Sequence, residues 1–293
     1  MCIRDRSKPI PAHSRLRRVR GWGRLTSMSA SAASASELVH YEVQHHIGVI
    51  TLDRPPVNAM TMAMQDRLGA LAQQIAHDEQ VKAVVITGHG KSFAAGNDIA
   101  EMAGMSVAQM HARVHPMQEN FTRIAKLPKP VVAAINGYAL GGGCELALCA
   151  DHRIASTKAV LGLPEVQLGI MPGIGGTQRL PRLIGPAKAK DLIFTGRHVE
   201  ADEALEIGLV DHLVKPDELL ASAMAWAEQF VDAASWALRW AKESIDTGLE
   251  SELATGLLVE ATGFAALFGT DDRRAGMKSF LEEGPGKAVF RGH

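Results

Sequence analysis

Apolar and polar positions alternate over residues 39–44 and again over residues 47–53, with His45 and His46 between the two runs. A period of two is the mark of half-buried strands, so this stretch predicts a hairpin with the paired histidines exposed at its turn. Arg54-Pro55-Pro56 stops the second strand, and from Thr61 to about Ala76 the apolar spacing lengthens to that of an amphipathic helix. The apolar runs 84–87 and 131–135 read as buried strands. Between them lie a loop over 88–98, hinged at Gly88, Gly90 and Gly96, and a helix over 107–126 whose inner face carries Met110, Val114, Met117, Phe121 and Ile124. Strand pairs followed by a helix, repeated to about Gly185, predict an α/β core of ββα units. From Pro186 the pattern turns helical, over 187–194, 201–207, 218–230, 235–246, 250–267 and 271–283. Strand character there is confined to 210–214.

Composition changes this picture mainly at the N-terminus. The net charge of −1 conceals eight basic residues against the single acid Asp5 in residues 1–28; removing them from the 31 Lys+Arg and 32 Asp+Glu leaves 23 against 31. An acidic body speaks against nucleic acid as a partner. Residues 1–36, Arg-rich and then almost wholly Ser and Ala, read as a disordered extension. Two origins stand side by side: upstream sequence preceding a true start at Met28, with a cytoplasmic protein, or a transit peptide to the mitochondrial matrix, whose amphipathic helix Pro9, Pro11, Gly21 and Gly23 would interrupt. Cys2, Cys144 and Cys149 have no framework spacing, which suits a reducing compartment without disulfides. The apolar stretch 131–150 contains Asn136, Glu145 and four glycines, so it reads as strand plus helix and no membrane span is expected. His45-His46 has no further ligand at suitable spacing, and no metal site is expected.

The candidate chemistry lies in residues 136–165. The triplet Gly141-Gly142-Gly143 opens a helix-like segment over 144–149 and puts Glu145 in its first turn. A carboxylate there can simply answer the helix dipole and the free N–H groups. Three glycines, however, cost a helix roughly 1 kcal/mol each relative to Ala, and they let backbone N–H groups approach a small electron-rich ligand. A phosphate-binding reading fails, because neither GxGxxG in a βαβ unit nor GxxxxGK[ST] occurs.

From Lys129 to Leu180 the chain reads KPVVAAINGYALGGGCELALCADHRIAS and then LPEVQLGIMPGIGGTQRL, which resembles the crotonase superfamily, the enoyl-CoA hydratase/isomerase family in particular. The resemblance extends to LDRPPVNAM (52–60), VKAVVITGHGKSFAAGNDIAEM (81–102) and DDRRAGMKSFLEE (271–283), and covers roughly residues 38–293. It implies the crotonase (ClpP-like) fold, with a ββα spiral core over 37–195 holding the active site. A helical C-terminal region over 196–293 would then form a homotrimer or a dimer of trimers. It also implies a trans-2-enoyl-CoA substrate hydrated to a 3-hydroxyacyl-CoA in fatty-acid or related acyl-CoA degradation, with coenzyme A part of the substrate and no cofactor.

Glu145 and Glu165 match the two catalytic glutamates, Glu145 as base and Glu165 as acid. The N–H groups of Asn97 and Gly142 match the oxyanion hole. Contacts to CoA would come from Pro56, Val57, Ala95, Asn97, Asp98, Ile99, Gly173 and Lys287, with Arg291 as an alternative to Lys287. An acyl pocket would be shaped by residues 102–117 together with Phe264. The chain departs from the family pattern at Asn97, where many relatives have Ala, at the shortened RPPVNA segment, and at Glu283-Gly284, where many have Lys-Arg. Two carboxylates in one dry pocket cannot easily both be ionised, so one holds a raised pKa and the pair serves as acid and base together. A double-bond isomerase needs only one such group, which makes isomerase, or another crotonase-type acyl-CoA lyase, the alternative. A non-enzymatic scaffold would need neither glutamate.

Overall fold

Four successive strand–strand–helix turns build the body of the molecule. The computed structural model describes residues 34–292; the readings of the basic and Ser/Ala-rich extension fall almost wholly outside them. A short helix α1 (Ala35–Leu38) leads into β1 (Val39–Gln44) and β2 (Ile47–Leu52), which pair antiparallel around His45 and His46. Both histidines are exposed and have positive φ, +48° and +64°, as a two-residue turn joining right-twisted strands requires. The helix α2 (Met62–His77) follows, its first turn capped by the Thr61 hydroxyl, which accepts from the Met64 N–H.

The second unit is β3 (Ala83–Gly88), β4 (Ser92–Ala94), α3 (Ile99–Met102) and α4 (Val107–Ala125), and the third is β5 (Val131–Ile135), β6 (Tyr138–Leu140) and α5 (Gly142–Ala147). The fourth is β7 (His152–Ser156), β8 (Val160–Gly162), a single 3-10 turn Glu165–Leu168, α6 (Gly176–Ile184) and α7 (Pro186–Thr195). After it come β9 (Val199–Glu200), α8 (Ala201–Glu206), β10 (His212–Val214), α9 (Leu219–Glu228), α10 (Ser235–Glu250), α11 (Leu253–Leu267) and α12 (Asp271–Glu283).

Two sheets result. The larger has the order β1-β2-β3-β5-β7-β10, parallel from β2 onward; the smaller has the order β4-β6-β8-β9, with β4, β6 and β8 parallel. From the second unit on, the first strand of each unit enters the large sheet and the second enters the small one. The C-terminal ends of β4, β6 and β8 therefore lie side by side, and ligands of parallel sheets collect at such ends. Close backbone approach makes this possible: a Cβ on Gly137 would lie 2.0 Å from the Lys91 carbonyl oxygen, and one on Gly143 would lie 2.0 Å from that of Ala94.

The core between sheet and helices includes Ile50, Leu68, Leu71, Ile75, Ile86 and Phe121, all fully buried. Truncating any one Leu of α2 to Ala would cost about 2–5 kcal/mol. On the opposite face of the large sheet, α9 lays Leu219, Ala223 and Ala227 against Val49, Val85, Val132 and Ala134.

The structure corrects the sequence reading in several places. Strand character after Pro186 is not confined to one run, because Val199–Glu200 pairs antiparallel with β8, and the other strand is only His212–Val214. The helix after the glycine triplet begins at Gly142 rather than Cys144 and ends at Ala147, since Gly141 takes a non-helical conformation (φ +50°, ψ −125°) that caps it. On α4 only Met117, Phe121 and Ile124 of the expected face are buried, and Asn120 joins them, donating from Nδ2 to Asp66 of α2. Of the aromatic residues after Pro186, Trp226 packs on the core, stacked on His152 at 4.9 Å, while Phe264 and Phe268 are exposed. Among the described residues no single helix is long and apolar enough to cross a membrane.

Candidate active site

Three segments leave the ends of β4, β6 and β8 within three residues of one another in pattern: Asn97, Gly142 and Glu165 each follow their strand by two or three positions. The segment 54–60 is laid over the first of them. The Asn58 side chain, at φ +55°, donates to the carbonyls of His89, Ser92 and Phe93 and accepts from the Arg54 N–H. Arg54 reaches the Ala59 carbonyl at 2.8 Å and Asp98 at 2.6 Å, and Asp98 in turn caps α3. Met60 then forms a one-residue parallel bridge to Asn97: its N–H donates to the Gly96 carbonyl, and its carbonyl accepts from the Asp98 N–H.

In that bridge the N–H of Asn97 points away from Met60. Gly142 is the first residue of α5, where an N–H has no intrahelical partner. A Cβ on Gly96 would lie 3.7 Å from the Gly142 nitrogen, so the two segments carrying these N–H groups are in contact. The Asn97 side chain turns toward α2 and α5. Its Oδ1 accepts from Gln65 Nε2 at 3.0 Å and lies 2.4 Å from where a Gly142 Cβ would be.

One turn into α5, Glu145 is 1% exposed. Its Oε1 accepts from the N–H groups of Ile174 (2.7 Å) and Gly176 (2.8 Å), and its Oε2 is buried with no partner among the described residues. Burial raises its pKa; the two N–H donors and the Arg179 charge oppose the rise. Glu165 opens the 3-10 turn. Its Oε1 lies 3.2 Å from where a Gly141 Cβ would be, and its Oε2 is also buried and unpartnered. Burial first, and then the Glu145 charge, push its pKa up to about 7. The neighbouring thiols are kept protonated, Cys144 pushed up to about 12 and Cys149 to about 11, chiefly by burial.

Of the other residues expected to contact a carrier, Pro56, Val57, Asp98 and Ile99 form one rim with Ala95, whose N–H donates to the Val57 carbonyl at 2.9 Å. Gly173 lies beside Ile174 on the loop that holds Glu145 and accepts from Gln118 Nε2. Lys287 is exposed on the C-terminal tail and has no hydrogen bond or ion pair with the described residues. The Arg291 N–H is taken by buried Asp272. Phe264 lines a cavity of about 300 Å³ with Trp236, Phe268, Met277 and Phe290, a cavity with no wall from residues 102–117. Sequence reasoning passed over the N–H groups of Ile174 and Gly176, together with Gln65 and Arg179. The Gly-Ile-Gly-Gly run was the available signal for the first two.

Comparison with known proteins identifies the family. The sequence profile described as enoyl-CoA hydratase/isomerase matches residues 42–292. The chain is 43% identical to the short-chain-enoyl-CoA hydratase of Clostridium acetobutylicum over 244 residues, covering 83% of this chain and 94% of that protein. It is 41% identical to the crotonyl-CoA hydratase of Syntrophomonas wolfei, covering 85% and 96%. The crystal structure of an enoyl-CoA hydratase from Bacillus anthracis superposes with a TM-score of 0.82 at 39% identity, covering 87% of this chain and all of that one.

Proposed function

Because this chain belongs to the enoyl-CoA hydratase/isomerase family and carries two facing carboxylates at the strand ends, we propose that it adds water reversibly across the double bond of a trans-2-enoyl-CoA. Its fold is the α/β crotonase fold with a helical C-terminal region. The observation that carries the reading is the pair of buried, unpartnered Oε2 atoms of Glu145 and Glu165 beside the adjoining N–H groups of Asn97 and Gly142.

The thioester carbonyl oxygen accepts from the two N–H groups, which favour the negative charge that spreads onto it as C3 is attacked; each such donor is worth about 2.7–4 kcal/mol. Glu145, its Oε1 fixed by two N–H donors, takes a proton through Oε2 from water as the water oxygen bonds to C3. Glu165, protonated at Oε2, delivers its proton to C2. Water is thereby divided between C3 and C2. Proton exchange between the carboxyl groups and solvent restores the starting state, and dehydration runs the same steps with the roles exchanged.

The rim formed by Pro56, Val57, Ala95, Asp98 and Ile99 is our candidate for the carrier arm, with Gly173 closing the far side. The exposed apolar residues Leu253, Leu257, Leu258, Phe264, Phe280 and Leu281 on α11 and α12 support a homotrimer or dimer of trimers built through the tail. Among the described residues Cys144 and Cys149 are unbridged, which supports a reducing compartment, for which the cytoplasm is our reading. The experiment is hydration of crotonyl-CoA, followed by loss of the conjugated-thioester absorbance. Turnover by the parent and its collapse in Glu145→Gln support the assignment, whereas double-bond migration faster than hydration would favour an isomerase.

A further inference from the structure

Arg179, in the first turn of α6, reaches back over the loop that holds Glu145. Its Nη1 donates to the Ile174 carbonyl at 3.0 Å, and Nη2 donates to the Thr122 hydroxyl of α4 at 3.1 Å. The Gly175 carbonyl accepts from the N–H groups of Gln178 and Arg179 itself, at 3.0 and 2.8 Å. Between them the Nη1 end of the guanidinium abuts Gly175: a Cβ there would be 2.0 Å from Nη1, and φ is +113°, so only glycine fits. Gly175 is the residue between the two whose N–H groups bind Glu145 Oε1. The arginine thus grips the middle of a three-residue cradle and ties it to a second helix.

We propose that Arg179 is a positioning residue for the catalytic base: it holds the 174–176 backbone so that both N–H groups converge on Glu145 Oε1, leaving Oε2 to meet the reacting water. The inference rests on the hydratase reading for its kinetic consequence but not for its geometry. A planar fork spanning two acceptors on different elements is what a guanidinium supplies and an ammonium does not. The charge acts in the same direction. The ionisable groups facing Glu145 are Glu165 from the 3-10 turn, Arg179 from α6, and the protonated thiols of Cys144 and Cys149 on its own segment. Of these, Arg179 alone is a cation favouring the ionised base.

The test compares Arg179→Met and Arg179→Lys with the parent in the full chain. Crotonyl-CoA hydration is read across pH, and the Glu145 carboxyl is titrated by ¹³C NMR in a Glu165→Gln background. With the cradle loosened, Arg179→Met lowers kcat about 10- to 100-fold, as a misplaced catalytic group does, with KM changed less than about threefold. Removing the cation makes Glu145 harder to ionise, so the rising acid limb of kcat and the NMR titration both move to higher pH. Arg179→Lys restores the limb but only part of the rate. Arg179→Met with parental kcat and an unmoved limb overturns the proposal, as does a uniform loss at every pH that Arg179→Lys repairs fully. If the parent hydrates no enoyl-CoA, the hydratase reading falls. The NMR titration still decides the role of Arg179: a Glu145 midpoint unchanged in Arg179→Met rejects it, and a raised midpoint upholds it.

Discussion

Glu145 and Glu165 are the same residue at two strand ends, and the backbone treats them differently. Glu145 stands in a helix, almost wholly shielded from solvent, with one oxygen held by two N–H groups and a guanidinium behind them. Glu165 stands on a single 3-10 turn that ends at Gly169 in the left-handed region, and only its own backbone N–H eases its charge. The contrast teaches that acid and base need not differ in residue type. In the proposed mechanism, donors aimed at one carboxylate and withheld from the other favour the ionised form of Glu145 over that of Glu165.

The hardest way to break this comparison is to remove either partner. Glu145→Gln and Glu165→Gln are nearly isosteric, and each should lower kcat for crotonyl-CoA hydration by at least about 10² to 10⁴. The double variant should fall well short of the product of the two losses, because the residues act as a unit. A single variant turning over near the parental rate would end the two-carboxylate account.

Next in size is the oxyanion pair. Gly142→Pro deletes an N–H, but a Cβ there meets Asn97 Oδ1 at 2.4 Å, so the substitution is cleanest in an Asn97→Ala background. In that background kcat should drop by about 10² to 10³, while Gly142→Ala, which keeps the N–H, should stay near the Asn97→Ala rate. Equal losses in both would remove the Gly142 N–H from its role.

Acidity sharpens the comparison more gently. Hydration needs Glu165 protonated, so kcat should fall as pH rises through about 7, and dehydration of the 3-hydroxyacyl product should rise over the same interval. The linked stability effect has a definite sign. A folded-state pKa of about 7 against a reference of 4.5 gives stability that is full below pH 4.5 and is lost as pH climbs through 7. Relative to Glu165→Gln, the parent should therefore lose roughly 1–3 kcal/mol between pH 4.5 and 8 in denaturant titrations, less than the full shift because the carboxyl is partly exposed. A gap constant across pH would contradict the raised pKa.

The smallest effect belongs to Asn97→Ala, which keeps the backbone N–H but leaves buried Gln65 without its partner. Stability should fall by about 1–2 kcal/mol in thermal melts, with kcat within about threefold of the parent. A loss of turnover beyond a hundredfold would show that the side chain itself takes part.

How much of this could be read from the letters depends on element length. The β1–β2 hairpin and α2 were legible because their residues repeat a period, and β3 and β5 because each is a short uninterrupted apolar run. Strands β4, β6 and β8 have three residues each and β9 has two, too few to show one, so the small sheet stayed hidden although the ββα repetition was plain. Glu145 and Glu165 stood out as acids in apolar sequence and as family positions. The groups that distinguish them did not, since the N–H groups of Ile174 and Gly176 belong to the backbone and carry no side-chain signature. Arg179 was visible as a letter, but its bond to Thr122 exists only once the fold brings α6 beside α4.

The bulged pairing of β4 with β6, where Ser92 meets Tyr138 and Ala94 meets Ala139, works as a ruler. Neighbouring strands keep a spacing of about 4.8 Å set by main-chain atoms, and the Asn97 and Gly142 N–H groups are mounted at the ends of two such neighbours. Their separation is thus calibrated by peptide geometry, and a lineage can exchange side chains along β4 and β6 without disturbing it. Inserting or deleting one residue between Ala94 and Asn97 would instead shift the graduation, and no choice of side chain could restore the reading.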